Sequence, residues 1–250
     1  MILGFLLHKG QIDLAIAEVE AVVGKGFLRD DFYFVDASYK KEFNRLAFVK
    51  GIYNLELSGK KIVKKKQIID LNKINTFQKR RAHLLPAGHP AMTHPRLARA
   101  MVNLSGAKEV LDPFCGGGGI LIEAGLCGLN GVGFDIDEKM LERARKNMDY
   151  FRIKDYSMKK QDARTFSGSY KAVVTDLPYG KNTKVVGDLE ELYLSFLKNI
   201  KRNNLKKVVV GFPDFVDYRQ LIKQAKLQIQ KEFCYYLHRS LSKVVIVLKN

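Results

Sequence analysis

The chain lacks tryptophan and holds only three cysteines and six prolines in 250 residues. Cys115, Cys127 and Cys234 have no ligand-like spacing and do not form a disulfide framework, which excludes a small stapled fold. The histidines, His8, His83, His89, His94 and His238, show no metal pattern either. No run approaches the ~20 apolar residues that cross a bilayer. The opening Met1–Leu7 is apolar but lacks the basic flank and cleavage site of a secretory signal, so it reads as a buried strand. These absences lead us to expect a cytoplasmic, reduced protein with no membrane partner.

Acidic residues are also scarce, 26 against 43 Lys and Arg, for a net charge of +17 and a pI near 9.7. Such an excess points to a polyanionic partner, most simply a nucleic acid. A generally lysine-rich proteome is the competing explanation. The apolar fraction of 46% is that of a folded globule. The length admits one good-sized domain and a small one.

Residues 1–70 read as a small α+β domain. Ile2–Leu7, Phe32–Val35, Ile52–Leu57 and Lys61–Ile69 carry strand patterns. Asp13–Val23 has helical periodicity and meets Gly24, and Lys41–Val49 is expected as a second helix stopped by Gly51. A basic linker follows over 71–85. Lys64, Lys65 and Lys66, with Lys79, Arg80 and Arg81, are expected to contact RNA phosphates; a merely solvated linker is the plain alternative. From 86 to 250 strands and helices alternate, which predicts a parallel sheet covered on both faces. The last two strands, Gln228–Tyr236 and Lys243–Leu248, have no helix between them, so at least one antiparallel pair is expected there.

The most informative stretch is Asp112-Pro113-Phe114-Cys115 running into Gly116–Gly119 and then a helix. Successive glycines allow a tight turn and a close approach of main chain to ligand, at the sheet edge where α/β folds bind ligands. A dinucleotide site wants G-x-G-x-x-G and a free helix N-terminus for pyrophosphate. Asp112 would repel a pyrophosphate. It suits a cation, the sulfonium and ammonium of S-adenosylmethionine, with Pro113, Phe114, Cys115, Gly116 and Gly118 forming the rest of the turn. Asp135, ending the next strand ahead of Ile136, is placed for ribose hydroxyls, as in nicotinamide sites. Asp162, ahead of Ala163, is placed for the adenine amino group or belongs to a surface loop. Thr93 and His94 are candidates to close over the methionine end, with a helix N-cap as the other role for Thr93.

Asp176-Leu177-Pro178-Tyr179 ends a second strand and completes the pattern. Exocyclic amino groups of bases are weak nucleophiles because the lone pair is delocalised. Acceptors on both N–H groups localise it toward a methyl donor. Asp176, which borders the cofactor as well, is one acceptor, and the Leu177 carbonyl is the other. Pro178 keeps Leu177 extended, and Tyr179 offers a flat face worth ~1–3 kcal/mol to a stacked base. A simple β-turn is the bland alternative. Lys181 lies in the polar loop that follows, as a phosphate contact or a solvent residue.

Leu111–Ala124, Gly133–Asp137 and Asp176–Gly180, with His89–Arg99 upstream, resemble the tRNA guanine-N2 methyltransferases of archaea and eukaryotes that act on guanine 10. The resemblance spans about residues 80 to 190 and extends more loosely to the C-terminus. It implies a Rossmann-like class I fold with a seven-stranded, mostly parallel sheet, S-adenosyl-L-methionine as cofactor, and N2-methylguanosine or its dimethyl form in tRNA as product. The first residues resemble the family's ferredoxin-like domain. Two departures stand out. The family motif D-P-P-Y has Leu177 in place of its first proline, which restores an N–H. The THUMP domain that grips tRNA is missing from the pattern, so a THUMP-containing partner or a homodimer is expected to supply it. N6-adenine methylation, and a non-catalytic RNA-binding subunit of the same fold, are the competing functions.

Overall fold

The computed structural model describes residues 2–58, 61–179, 188–238 and 241–250. The chain divides into two units, Met1–Lys79 and Arg80–Asn250. Residues 71–85 straddle that division and carry short helical turns.

In the first unit, β1 (Ile2–Leu7), α1 (Ile12–Val22), β2 (Phe27–Arg29), β3 (Phe32–Asp36), β4 (Val49–Ser58), β5 (Lys61–Asp70) and the one-turn α2 (Leu71–Ile74) follow in order. The strands form one sheet, β2-β3-β1-β4-β5, with every neighbouring pair antiparallel. The central order β2-β3-β1-β4, with α1 joining β1 to β2, is the split βαβ arrangement of ferredoxin-like sheets. Helix α1 buries Leu14, Ala15, Ala17 and Val19.

The helix expected over Lys41–Val49 does not form. A 3-10 turn covers Lys41–Arg45, and the chain then enters β4. The cause is tertiary. The fully buried Glu18 accepts from the Ala47 and Phe48 amides at 2.7 and 2.9 Å, and holds them out of a helical ladder. Phe43, Leu46, Ala47 and Phe48 are all buried, so packing overrides local propensity. The short edge strand β2 was not expected; its three residues are too few for a period-two pattern to register. Lys61, Lys64, Lys65 and Lys66 stand exposed on β5, at the other edge.

The second unit runs α3 (Pro95–Ser105), β6 (Glu109–Asp112), α4 (Gly119–Gly125), β7 (Asn130–Asp135), α5 (Glu138–Tyr150), β8 (Tyr156–Lys160), β9 (Val173–Asp176), α6 (Leu189–Arg202), β10 (Val208–Pro213), α7 (Tyr218–Gln224), β11 (Gln228–His238) and β12 (Leu241–Lys249). Its seven strands lie in the order β11-β12-β10-β9-β6-β7-β8. The five from β10 to β8 are parallel, and β12 runs antiparallel to both β10 and β11. This is the expected seven-stranded, mostly parallel α/β sheet. Strand β10, Val-Val-Val-Gly-Phe-Pro, is buried throughout, as a strand covered on both faces requires. Helices α5 and α6 are capped by Asp137 and Asp188, which accept from the amides of Lys139 and Glu190, both at 3.0 Å.

The chain leaves β6 toward β7 and β8 on one side, then returns to β9 on the other. Such a reversal opens a crevice beyond the carboxyl ends of the two strands on either side of it. Asp112 ends β6 and Asp176 ends β9.

Candidate active site

A cavity of about 590 Å³ occupies that crevice, within the range of small-molecule sites. Asp112, Pro113, Phe114, Cys115, Gly116, Asp135, Ile136, Asp162, Ala163, Asp176, Leu177, Pro178, Tyr179 and Thr93 all border it. The fold thus brings most of the expected site residues into one cavity from four strand ends and the segment before α3.

The glycine turn is built from conformations other residues resist. Gly116 and Gly118 have φ of +51° and +86°. A Cβ on Gly117 would meet the Met92 sulfur at 2.8 Å, and one on Gly118 would press on Ala144 at 3.2 Å. Gly118 therefore supports the turn from beneath α5 and does not line the cavity. Asn147, fully buried on α5, donates to the Gly117 carbonyl at 2.9 Å and exchanges hydrogen bonds with Ala87. An asparagine inside a helix gave no signal of this role in the sequence.

Asp112 is 2% exposed. It accepts from the Thr175 hydroxyl at 2.6 Å and the Phe114 amide at 3.2 Å. Burial pushes its carboxyl up to about 7, partly offset by those bonds and reinforced by Asp176 and Asp135. A carboxylate so placed favours a cation in the cavity. Asp135 accepts from the amides of Gly116 and Asp137, both at 2.9 Å, and burial raises its pKa too. Ile136, 44% exposed, lies beside it as an apolar wall of the cavity. Cys115 packs inward, and burial pushes its thiol up.

Asp162 borders the cavity with both carboxylate oxygens engaged by the Arg164 side chain, at 2.6–3.0 Å. That fork holds its carboxyl below the usual range. Arg164 is thus an intermediary to the Asp162 edge that the sequence did not signal.

Of the pair before α3, Thr93 is the one at the site. Its hydroxyl donates to Asp176 Oδ2 at 2.7 Å. The N-cap of α3 is His94, whose Nδ1 accepts from the Arg96 amide at 3.3 Å. His94 does not line the main cavity and faces a separate recess with Arg81 and His83. Burial, with Arg81 and Arg96 nearby, lowers its pKa to about 4. Its place at the methionine end is therefore corrected: the capping bond turns the ring away.

Around Asp176 the fold adds a group the sequence did not reveal. Lys243, 1% exposed on β12, hydrogen-bonds Asp176 Oδ1, and its ammonium sits 3.7 Å from the centre of the Tyr179 ring. It reaches Asp176 past β10 at Gly211, where a Cβ would approach Asp176 Oδ1 to 2.7 Å. Leu177 is buried and its N–H donates to the Gly211 carbonyl at 3.0 Å, so the extra donor relative to proline is satisfied. The Pro178 carbonyl accepts from the Tyr193 hydroxyl at 2.5 Å, which fixes the turn. Tyr179 stays a neutral phenol, its pKa pushed up to about 12 by burial and by Asp176.

Of the residues expected to meet RNA, Lys64, Lys65, Lys66, Lys79 and Arg81 are exposed, with Lys64 paired to Glu56 at 3.1 Å. Lys181 lies outside the described residues. Arg80 is corrected. Its guanidinium is 11% exposed and forks onto the buried Glu123 at 2.7 and 3.2 Å, where Arg99 joins it at 2.7 Å. Arg80→Ala is accordingly expected to lower the thermal midpoint while leaving the salt dependence of RNA binding unchanged. A changed salt slope with an unchanged melt would return Arg80 to the RNA surface.

The UPF0020 family model, described as RMKL-like, methyltransferase domain, matches residues 83–243. A tRNA (guanine(10)-N2)-dimethyltransferase of Methanothermobacter thermautotrophicus is 40% identical over 69% of this chain and 54% of its own length. The enzyme of that name from Pyrococcus abyssi is 38% identical, with the same coverage. The chain thus spans about half the length of these relatives. The crystal structure of TrmN from Thermus thermophilus aligns over the full length of both chains, with a TM-score of 0.59 and 17% identity, a likeness of fold. The family match begins just before the segment that carries Thr93 and ends at Lys243, enclosing the whole cavity, and on that ground the chain belongs to the UPF0020 family of RMKL-like methyltransferase domains.

Proposed function

We propose that the chain methylates the exocyclic N2 of guanine in tRNA, with S-adenosyl-L-methionine as donor and guanine 10 as the target. The observation that carries this reading is the pair of carboxylates facing one cavity across the switch point. Asp112 is buried and suited to a cation, and Asp176 is held by Thr93 and Lys243 beside an aromatic ring. The names of the relatives supply the choice of tRNA and guanine.

When bound, S-adenosylmethionine supplies an electrophilic methyl on a sulfonium. Asp112 attracts its positive charge, the glycine turn gives it main-chain contact, and Asp135 accepts from its ribose. Ile136 and Ala163 flank the adenine, with the Asp162–Arg164 pair at its edge. Asp176 accepts from the guanine amino group, and its second oxygen suits the neighbouring ring N–H, which adenine lacks. The Leu177 carbonyl is the other acceptor for the amino group. Tyr179 stacks on the base, which must leave its neighbours to enter. Asp176 then takes the proton the methylated nitrogen sheds. Exposed lysines of β5, with Lys79 and Arg81, contact phosphates; a THUMP-bearing partner or a second copy of the chain adds grip on the tRNA.

Labelled methyl transfer from S-adenosylmethionine to unmodified tRNA, followed by nucleoside analysis, tests the proposal. N2-methylguanosine or N2,N2-dimethylguanosine is the expected product. N6-methyladenosine, or cofactor binding without transfer to any RNA, would overturn it.

Cofactor affinity should also depend on pH in a definite sense. The Asp112 carboxyl sits at about 7, and a cationic ligand prefers its ionised form. As pH falls below 7, Asp112 protonates and affinity should drop, approaching about tenfold per pH unit; above 7 it should level off. Calorimetric titration of wild type and Asp112→Asn checks this. The variant should bind weakly with no break near pH 7, and a retained break would assign it to another group.

A further inference from the structure

Among the described residues Lys243 is the only buried lysine, and burying an ammonium is costly unless its partners compensate. Both of its partners belong to the proposed base site. Its hydrogen bond goes to Asp176 Oδ1, and its charge lies over the Tyr179 ring, 3.7 Å from the centre, where the ring quadrupole attracts a cation. The path between them is kept open by Gly211.

We infer that Lys243 is a positioning residue for methyl transfer, holding Asp176 as a carboxylate and pinning one face of Tyr179 so that the other takes the base. This rests on the reading of the site given above. In the transfer the amine nitrogen bonds the methyl carbon, and the carbon–sulfur bond breaks with its electron pair going to sulfur. The positive charge then resides on nitrogen until a proton moves to Asp176. An acceptor must therefore be ionised at the start. The groups facing Asp176 are Thr93 before α3, Asp112 on β6, Tyr179 after β9, Tyr193 on α6 and Lys243 on β12. Lys243 is the only cation among them. Without it, the partly buried Asp176 faces another carboxylate, Asp112, with no cation to balance the pair.

The test compares the full-length wild-type, Lys243→Met and Lys243→Arg proteins in single-turnover transfer to unmodified tRNA over a wide pH range. Melting curves and S-adenosylmethionine titrations accompany each. Lys243→Met should bind the cofactor nearly as wild type does, yet lose about 10²-fold or more in rate at neutral pH. The loss should shrink as pH rises, and arginine should restore most of it. A wild-type profile in Lys243→Met, or a loss that is independent of pH and untouched by arginine, overturns the inference. Carbon-13 NMR of the Asp176 carboxyl, identified by its absence in Asp176→Asn, asks the same question without RNA. Its titration midpoint should move to higher pH in Lys243→Met, and an unmoved midpoint also overturns the inference. If Lys243→Met does not fold, Lys243→Gln carries both readouts. Failure of the wild-type enzyme to methylate tRNA would instead sink the functional reading, leaving the NMR result to decide the role of Lys243.

Discussion

Asp176→Asn is expected to lower methyl transfer to tRNA by about 10²–10⁴-fold, the range for losing a positioned base or a preorganised electrostatic partner. Asparagine keeps the shape and one acceptor oxygen. It cannot take a proton, and it presents an amino group where the guanine ring N–H needs an acceptor. It also leaves Lys243 without its carboxylate, deep in the unit. Asp176→Ala goes further by removing every acceptor, and breaking a buried ion pair costs about 3–5 kcal/mol of stability. Asparagine is therefore the cleaner probe of chemistry, and alanine of the ion pair. RNA affinity should hardly change in either, because charge spread over exposed lysines and arginines governs it. The measurement is single-turnover transfer with parallel RNA-binding titrations and melts. An Asp176→Asn enzyme within tenfold of wild type would remove Asp176 from the reaction. An equal loss of RNA binding would mean that the residue organises the surface instead.

Glu123→Ala should cost about 3–5 kcal/mol of stability. Glu123 is 1% exposed on α4 and receives both Arg80 and Arg99, whose side chains are 11% and 5% exposed. Deleting the carboxylate leaves two neighbouring guanidiniums in a poorly solvated place, facing each other's charge without it. The midpoint should fall on the order of 10 °C. Helix α4 opens at Gly119, directly after the glycine turn, so cofactor affinity should weaken in the same variant. Denaturant melts with an unchanged slope would assign the effect to the folded state. A change below about 1 kcal/mol would show that desolvation of the three charges already cancels their attraction. Replacing all three by apolar residues of similar volume is the informative follow-up, because such swaps are often neutral.

Much of the second unit was legible because its determinants are local. The alternation of strands and helices follows from apolar periodicity and caps, and Asp112 and Asp176 were marked by their own neighbours, a glycine run and a Leu-Pro-Tyr turn. Glycine at positive φ and proline after an extended residue are constraints of the backbone, so they appear in the order of residues. The misreadings share another origin. The segment 41–49 has helical spacing, but Glu18 takes its amides. Arg80 sits in a basic run, yet its partner is a carboxylate far along the chain. Thr93 and His94 are adjacent, and only the direction of the chain into α3 decides which one caps the helix and which one meets Asp176.

By itself, then, the sequence determined the class of fold, the place of the glycine turn, and the two strand-end carboxylates that border the cavity, since each depends on residues within one turn or strand. Tertiary structure alone decided how those carboxylates are charged and held. Lys243 reaches Asp176 only because β12 folds back beside β10, and Thr175 reaches Asp112 only because β9 lies beside β6. Such pairings depend on burial and on contacts between distant segments, where a lysine or threonine looks in sequence like any other.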